Sequence, residues 1–146
     1  MLAWPPAATS GPCTVVDPAC REWLSLAEDS ARASLYRSFG LGERNERLVR
    51  ALVIVHGASR DAAGALRTAL AAAFLAGALE DTAVVAPRFA SNGAPDCRMA
   101  LAPGEINWAC PLLDWRWGGV AVGNEQLASF DSPSSSVTTR TTRAST

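Results

Sequence analysis

Apolar residues along this chain collect into a few runs separated by turn-forming residues. Ser34 to Phe39 (SLYRSF) alternates polar and apolar positions and is rich in β-formers, which predicts a short strand. Gly40 and Gly42 break that pattern, and the polar stretch Glu43 to Arg47 reads as a turn. Leu48 to Val55 (LVRALVIV) ends in an uninterrupted run of Leu, Val and Ile, the pattern of a strand buried on both faces of a parallel sheet. His56-Gly57 closes the run. Ala62 to Leu79 reads as a helix, with Leu66, Leu70 and Phe74 on one stripe, Leu75 and Leu79 beside it, and Asp61 as N-cap. Thr82 to Ala86 (TAVVA) is a further buried strand, stopped by Pro87. Strands near 34–39, 49–55 and 82–86 with a helix near 62–79 predict a right-handed βαβ unit, and hence the α/β class.

The flanks carry weaker patterns. Residues 1–19 read as an extended arm, and Asp17-Pro18 as the start of a short helix running to about Ala27. Phe89 to Gln126 reads as a long loop rich in Trp and Cys, of the kind that function or cross-links keep ordered. Ser132 to Thr146 is a run of Ser, Thr and Arg that cannot bury a face, so it is expected to be disordered. The expected organisation is an arm over 1–33, a domain over 34–131 and a tail over 132–146.

Charge and cysteine usage narrow the function. With 13 basic and 14 acidic residues the formal net charge is −1, which gives no electrostatic reason to expect nucleic acid or an anionic membrane as partner. The longest apolar run, Ala69 to Leu79, falls short of the roughly 18 residues of a membrane span. The start (MLAWPPAA) has neither the basic nor the apolar region of a signal peptide. Cys13, Cys20, Cys97 and Cys110 form no C-x-x-C pair, so no structural zinc site is expected. Three disulfide pairings are open. Cys13–Cys20 with Cys97–Cys110 closes two short loops and is preferred, against the alternative of four reduced buried thiols. Disulfides imply a secreted or periplasmic protein.

The chemistry-bearing candidates sit at the end of the second strand. Val53 to Ala58 (VIVHGA) places His-Gly where a strand turns into a helix, so the backbone N–H of Ala58 is free to face a developing oxyanion. His56, Gly57 and Ala58 are the oxyanion-loop candidates. Ser59 in GASRD is a weak nucleophile candidate. Asp61 is not the small residue a nucleophile elbow wants, and His56 is badly placed to serve Ser59 as base. His56 reads more readily as a partly buried residue bonded to a neighbouring loop. Trp108, Trp115 and Trp117 could line a substrate pocket, although a local apolar cluster is the preferred reading. No metal or cofactor is expected.

From Leu35 to Asp131 the chain resembles a family of bacterial secreted α/β-hydrolases. The segments carrying the resemblance are LYRSF, RALVIVHGAS, RTALAAAFLAGALEDTAVVAPRFASN, EINWAC, WRWGG and ASFD. The resemblance implies a partial α/β-hydrolase fold and acyl-bond hydrolysis on a small-molecule or polymeric ester. It also implies a G-x-S-x-G elbow followed by an acid and a His. This chain contains no G-x-S-x-G, and His56 is its sole His. Asp114 and Asp131 precede the position where the nucleophile would stand, whereas the family's acid follows it. The chain is therefore expected to be a fragment, truncated or frameshifted after about Asp131 and inactive alone. A non-enzymatic secreted binding module using the Trp-rich loop 108–117 is the alternative.

Overall fold

Strand pairing is organised around one segment, Thr82–Arg88 (β4), with a neighbour on each side. The computed structural model describes residues 11–16, 18–26, 31–42, 44–93, 97–110 and 114–131. The expected tail over 132–146 and the Asp17 cap lie outside them. Preceding β4 are Arg21–Ser25 (β1), Arg32–Arg37 (β2), Arg50–Val53 (β3) and the helix Ala62–Leu75 (α1). They form a four-stranded sheet in the order β1-β2-β4-β3. β1 with β2 and β2 with β4 are antiparallel; β3 with β4 is parallel, with α1 between them in the chain. A separate two-stranded ribbon pairs Val120–Ala121 (β5) with Asn124–Ala128 (β6).

This architecture corrects the expected one. Among the described residues it is an assembly of small β-sheets carrying one α-helix, with a mixed sheet, and not a partial α/β-hydrolase fold. Several local departures lead to that result. The segment read as a helix from Asp17-Pro18 makes only a 3-10 turn, Pro18–Cys20, and then becomes β1. Cys20 is tied back to Cys13, and Trp23 on β1 gains the guanidinium groups of Arg21 and Arg32 at 4.3 and 4.0 Å from its ring centre. The strand expected at 34–39 begins two residues earlier. The run 49–55 pairs only over Arg50–Val53, on one side, so Leu52 and Val55 stay 41% and 46% exposed instead of buried on both faces.

The helix stops at Leu75, short of the expected Leu79. Gly77 takes a left-handed φ of 65°; its N–H donates to Phe74 O, and the Ala78 N–H reaches back to Ala73 O. Those two bonds satisfy carbonyls that would otherwise be orphaned, and they end the helix. Asp61 caps the other end, accepting the Gly64 N–H at 2.7 Å. The long loop also holds more structure than expected. It contains the 3-10 turn Asp114–Trp117 and then the β5–β6 ribbon, turned at Gly123 with φ 80°.

The apolar residues gather in two clusters. Val84 and Ala86 join Leu66, Leu70 and Ala73 of α1, with Cys20. A second cluster gathers Ala33, Phe89, Ile106, Trp108, Trp115 and Leu127. The two disulfides are Cys13–Cys20 and Cys97–Cys110, with Cα atoms 5.8 and 6.3 Å apart. They are compatible with an extracellular or periplasmic location. Among the described residues no helix is long and apolar enough to cross a membrane.

Glu105 locks the loop to the sheet. Its side chain is 2% exposed. It accepts from Ser34 Oγ at 2.8 Å, from Arg21 Nη2 at 3.0 Å and from the Ala102 N–H at 2.9 Å, and pairs with the Arg88 guanidinium. Ser34 faces Arg88 across β2 and β4, so the carboxylate sits over a strand junction. Backbone bonds from Arg32 N to Gly104 O and from Ile106 N to Arg32 O lay the loop beside the start of β2. Burial alone raises the Glu105 pKa, but the hydrogen bonds from Ala102, Arg88 and Ser34 outweigh it and hold it below its ordinary value. The carboxylate therefore stabilises the fold above the unfolded value of 4.5, and that stability is lost as pH falls through the folded value. Replacing Glu105 by Ala strands two arginines at the junction. Urea unfolding at neutral pH is expected to show a loss of about 3–5 kcal/mol.

Candidate functional site

Past β3 the chain stays beside β4 for one more bond, Ile54 N to Val85 O at 2.8 Å, and then turns toward the helix. His56 is the first side chain of that turn to point inward, and it is 5% exposed. Its Nε2 accepts the backbone N–H of Phe89 at 3.1 Å. An accepting Nε2 carries no proton, so the hydrogen-bond network assigns the proton to Nδ1, which donates to Gly57 O at 2.9 Å. Both ring nitrogens are thus committed to backbone. The ring meets Trp115 at 4.9 Å and the edge of Phe89 at 5.8 Å. Burial is the main cause that lowers the His56 pKa; the bond to Gly57 opposes it, and the Arg60 and Arg116 charges add to it.

Arg60 is the residue that sequence reasoning missed. It is 4% exposed and holds a left-handed φ of 56°, an uncommon conformation for a residue with a side chain. Its N–H closes the turn onto Gly57 O at 3.0 Å. Its guanidinium donates to Phe89 O at 2.8 Å and to Ala109 O at 2.9 Å. Desolvation, and then the nearby Arg116, lower its pKa. A charged residue in a G-A-S-R-D turn reads as solvated, and no spacing rule announces that it folds inward.

Between these two anchors Gly57, Ala58 and Ser59 are exposed. The Ala58 N–H makes no hydrogen bond among the described residues. The Ser59 hydroxyl has no His56 nitrogen to serve it, because both are engaged. The turn can present an amide to an anionic oxygen, but it holds no nucleophile–base pair.

The three Trp candidates separate. Trp108 and Trp115 are 1% and 5% exposed, packed around Phe89. Phe89 stacks on Trp115 at 4.7 Å and meets Trp108 edge-on at 5.4 Å. Ser129 Oγ holds the Trp115 carbonyl at 2.6 Å, and Arg116 lies 5.3 Å from the Trp115 ring centre. Trp117 is 79% exposed and belongs to no part of this cluster. Asp114 and Asp131 stand in 3-10 turns, Asp114–Trp117 and Ser129–Asp131. No group of three or more His, Cys, Asp or Glu among the described residues could hold a metal ion.

Comparisons with models of known families, with characterised proteins and with solved structures found no match to this chain. The resemblance to secreted hydrolases therefore rests on the quoted segments alone.

A lowered folded pKa means that the unfolded chain takes up a proton at His56 before the native protein does. Stability from the neutral ring is complete above the unfolded value of 6.5 and is lost as pH falls from there toward the folded value. Between about pH 7.5 and about pH 5.5 the melting temperature is expected to drop. His56→Gln keeps an acceptor for the Phe89 amide and cannot titrate, so its melting temperature should hold nearly constant over that interval. Equal pH slopes for the two proteins would contradict the assignment.

Proposed function

We propose that this chain is an exported, disulfide-stapled relative of secreted serine hydrolases that does not hydrolyse esters by itself. One observation carries this reading: the sole histidine spends both ring nitrogens on backbone groups, so no imidazole remains to serve a serine as base. The resemblance at RALVIVHGAS supplies the chemical class, an ester or related acyl bond. The exposed, unpaired Ala58 N–H is the group that would face the acyl oxygen. One such donor is worth about 10²–10³ in kcat, but only where water is excluded. The open turn 57–59 meets that condition only when a substrate and another polypeptide segment bearing the serine, acid and histidine close over it. The two disulfides support export.

Trp117 favours a second reading, a binding module without catalysis. Its ring is 79% exposed, and Phe130, itself 65% exposed, lies against the adjacent Gly118. Retention on a carbohydrate or aromatic resin that Trp117→Ala abolishes would support that reading.

Treating the purified chain with a fluorophosphonate probe tests the first. No covalent labelling is expected, and aryl-ester turnover should equal that of Ser59→Ala. Labelling that disappears in Ser59→Ala would overturn the proposal.

A further inference from the structure

A few residues beyond β4 the chain carries Asn92-Gly93, the single Asn-Gly pair in the sequence. Asn45 is followed by Glu46, Asn107 by Trp108 and Asn124 by Glu125. Asparagine is among the thermolabile residue types. A glycine after it leaves the next backbone nitrogen unshielded, because no Cβ stands in the way. Asn92 is exposed. Packing keeps glycine at 93: a Cβ there would stand 3.0 Å from Cys110 Cβ and 3.6 Å from Cys110 O, beside the Cys97–Cys110 disulfide. Hydrogen bonds restrain both members of the pair. Asn107 Oδ1 accepts the Asn92 N–H at 3.2 Å, and Asn107 Nδ2 donates to Asn92 Oδ1 at 2.8 Å. The Gly93 N–H donates to Ser91 Oγ at 3.2 Å.

We infer that Asn92 is a modification site, at which water converts the side-chain amide to aspartate and isoaspartate, and that Asn107 sets the rate. Hydroxide takes the proton of the Gly93 N–H. The Gly93 nitrogen then bonds to Asn92 Cγ, the Cγ–Nδ2 bond breaks, and Nδ2 leaves as ammonia after taking a proton from water. A water molecule opens the resulting cyclic imide at either carbonyl. Attack requires the Asn92 side chain to swing toward the Gly93 nitrogen and the Gly93 amide to leave Ser91 Oγ. The bond from Asn107 holds the Asn92 amide where it is, so opening that pair precedes the chemistry. Isoaspartate routes the backbone through the former side-chain methylene. It does so between Ala90, whose carbonyl takes the Trp108 N–H at 2.9 Å, and Gly93, whose carbonyl takes the Cys97 N–H at 3.0 Å. The modification therefore lengthens the strip of chain that seats the Trp-rich loop.

Peptide mapping by mass spectrometry, on the full chain aged at several pH values, tests this. Aspartate and isoaspartate peptides separate by retention, and both show the mass gain of an amide turned acid. Conversion is expected at Asn92 and not at Asn45, Asn107 or Asn124, and faster as pH rises. Asn107→Ala, with its circular dichroism unchanged, should convert about two- to tenfold faster, the factor that the lost hydrogen bonding is worth. Native wild type should convert about tenfold more slowly than the guanidinium-unfolded chain, a comparison that decides alone if Asn107→Ala does not fold. Native Asn92 still intact once the unfolded chain has fully converted would overturn the inference. So would equal rates in the native and unfolded chains, or a folded Asn107→Ala no faster than wild type.

Discussion

The peptide of Phe89 is where this structure is held together. It lies one residue beyond β4, where the ladder has ended, and a buried peptide group there needs partners from elsewhere. The turn after β3 supplies both: His56 Nε2 takes its N–H and the Arg60 guanidinium takes its C=O. The Phe89 ring then sits between Trp108 and Trp115. Removing either partner would leave a buried backbone group unpaired, a penalty of about 1–3 kcal/mol. The parallel pair β3–β4, the turn over 56–61 and the Trp-rich loop are joined at this one residue.

Two buried charges near the sheet are satisfied in opposite ways. Glu105 is ringed by donors, two of them cationic. Arg60 meets neutral carbonyls, with another arginine nearby, and its charge is less well compensated. The first arrangement fastens the loop to β2 and β4. The second buries a cation on a residue with a left-handed backbone, while Gly57 to Ser59 stay at the surface. Both His56 ring nitrogens are spent on backbone groups beside this turn, while its Ala58 amide stays at the surface.

Local signals in the sequence were legible where one interaction dominates. Asp61 caps α1 because a carboxylate beside free helix amides has a favourable partner within reach. The two short-loop cysteine pairs form because their spacing already brings them close. The reading failed where tertiary contacts overrule local pattern. Arg21–Ser25 became a strand because β2 pairs with it along its length, which no helix-start signal reveals. Leu48 to Val55 reads as a doubly buried strand by its apolar content, yet burial depends on neighbours, and among the described residues β4 alone pairs with it. Of the candidate site, the position of the turn could be found from His-Gly after an apolar run. The commitment of His56 to Phe89 could not, since the two residues are far apart in sequence. Arg60 and Glu105 carried no signal that distinguishes a buried charge from a solvated one.

The protonation state of His56 decides between a structural and a catalytic turn. Nitrogen-15 NMR of the imidazole in the full chain reads it directly. A neutral ring at pH 7 with the proton on Nδ1, a hydrogen-bonded Nε2, and a titration below the ordinary histidine value are expected. A ring protonated on Nε2, or one titrating above that value, would contradict this.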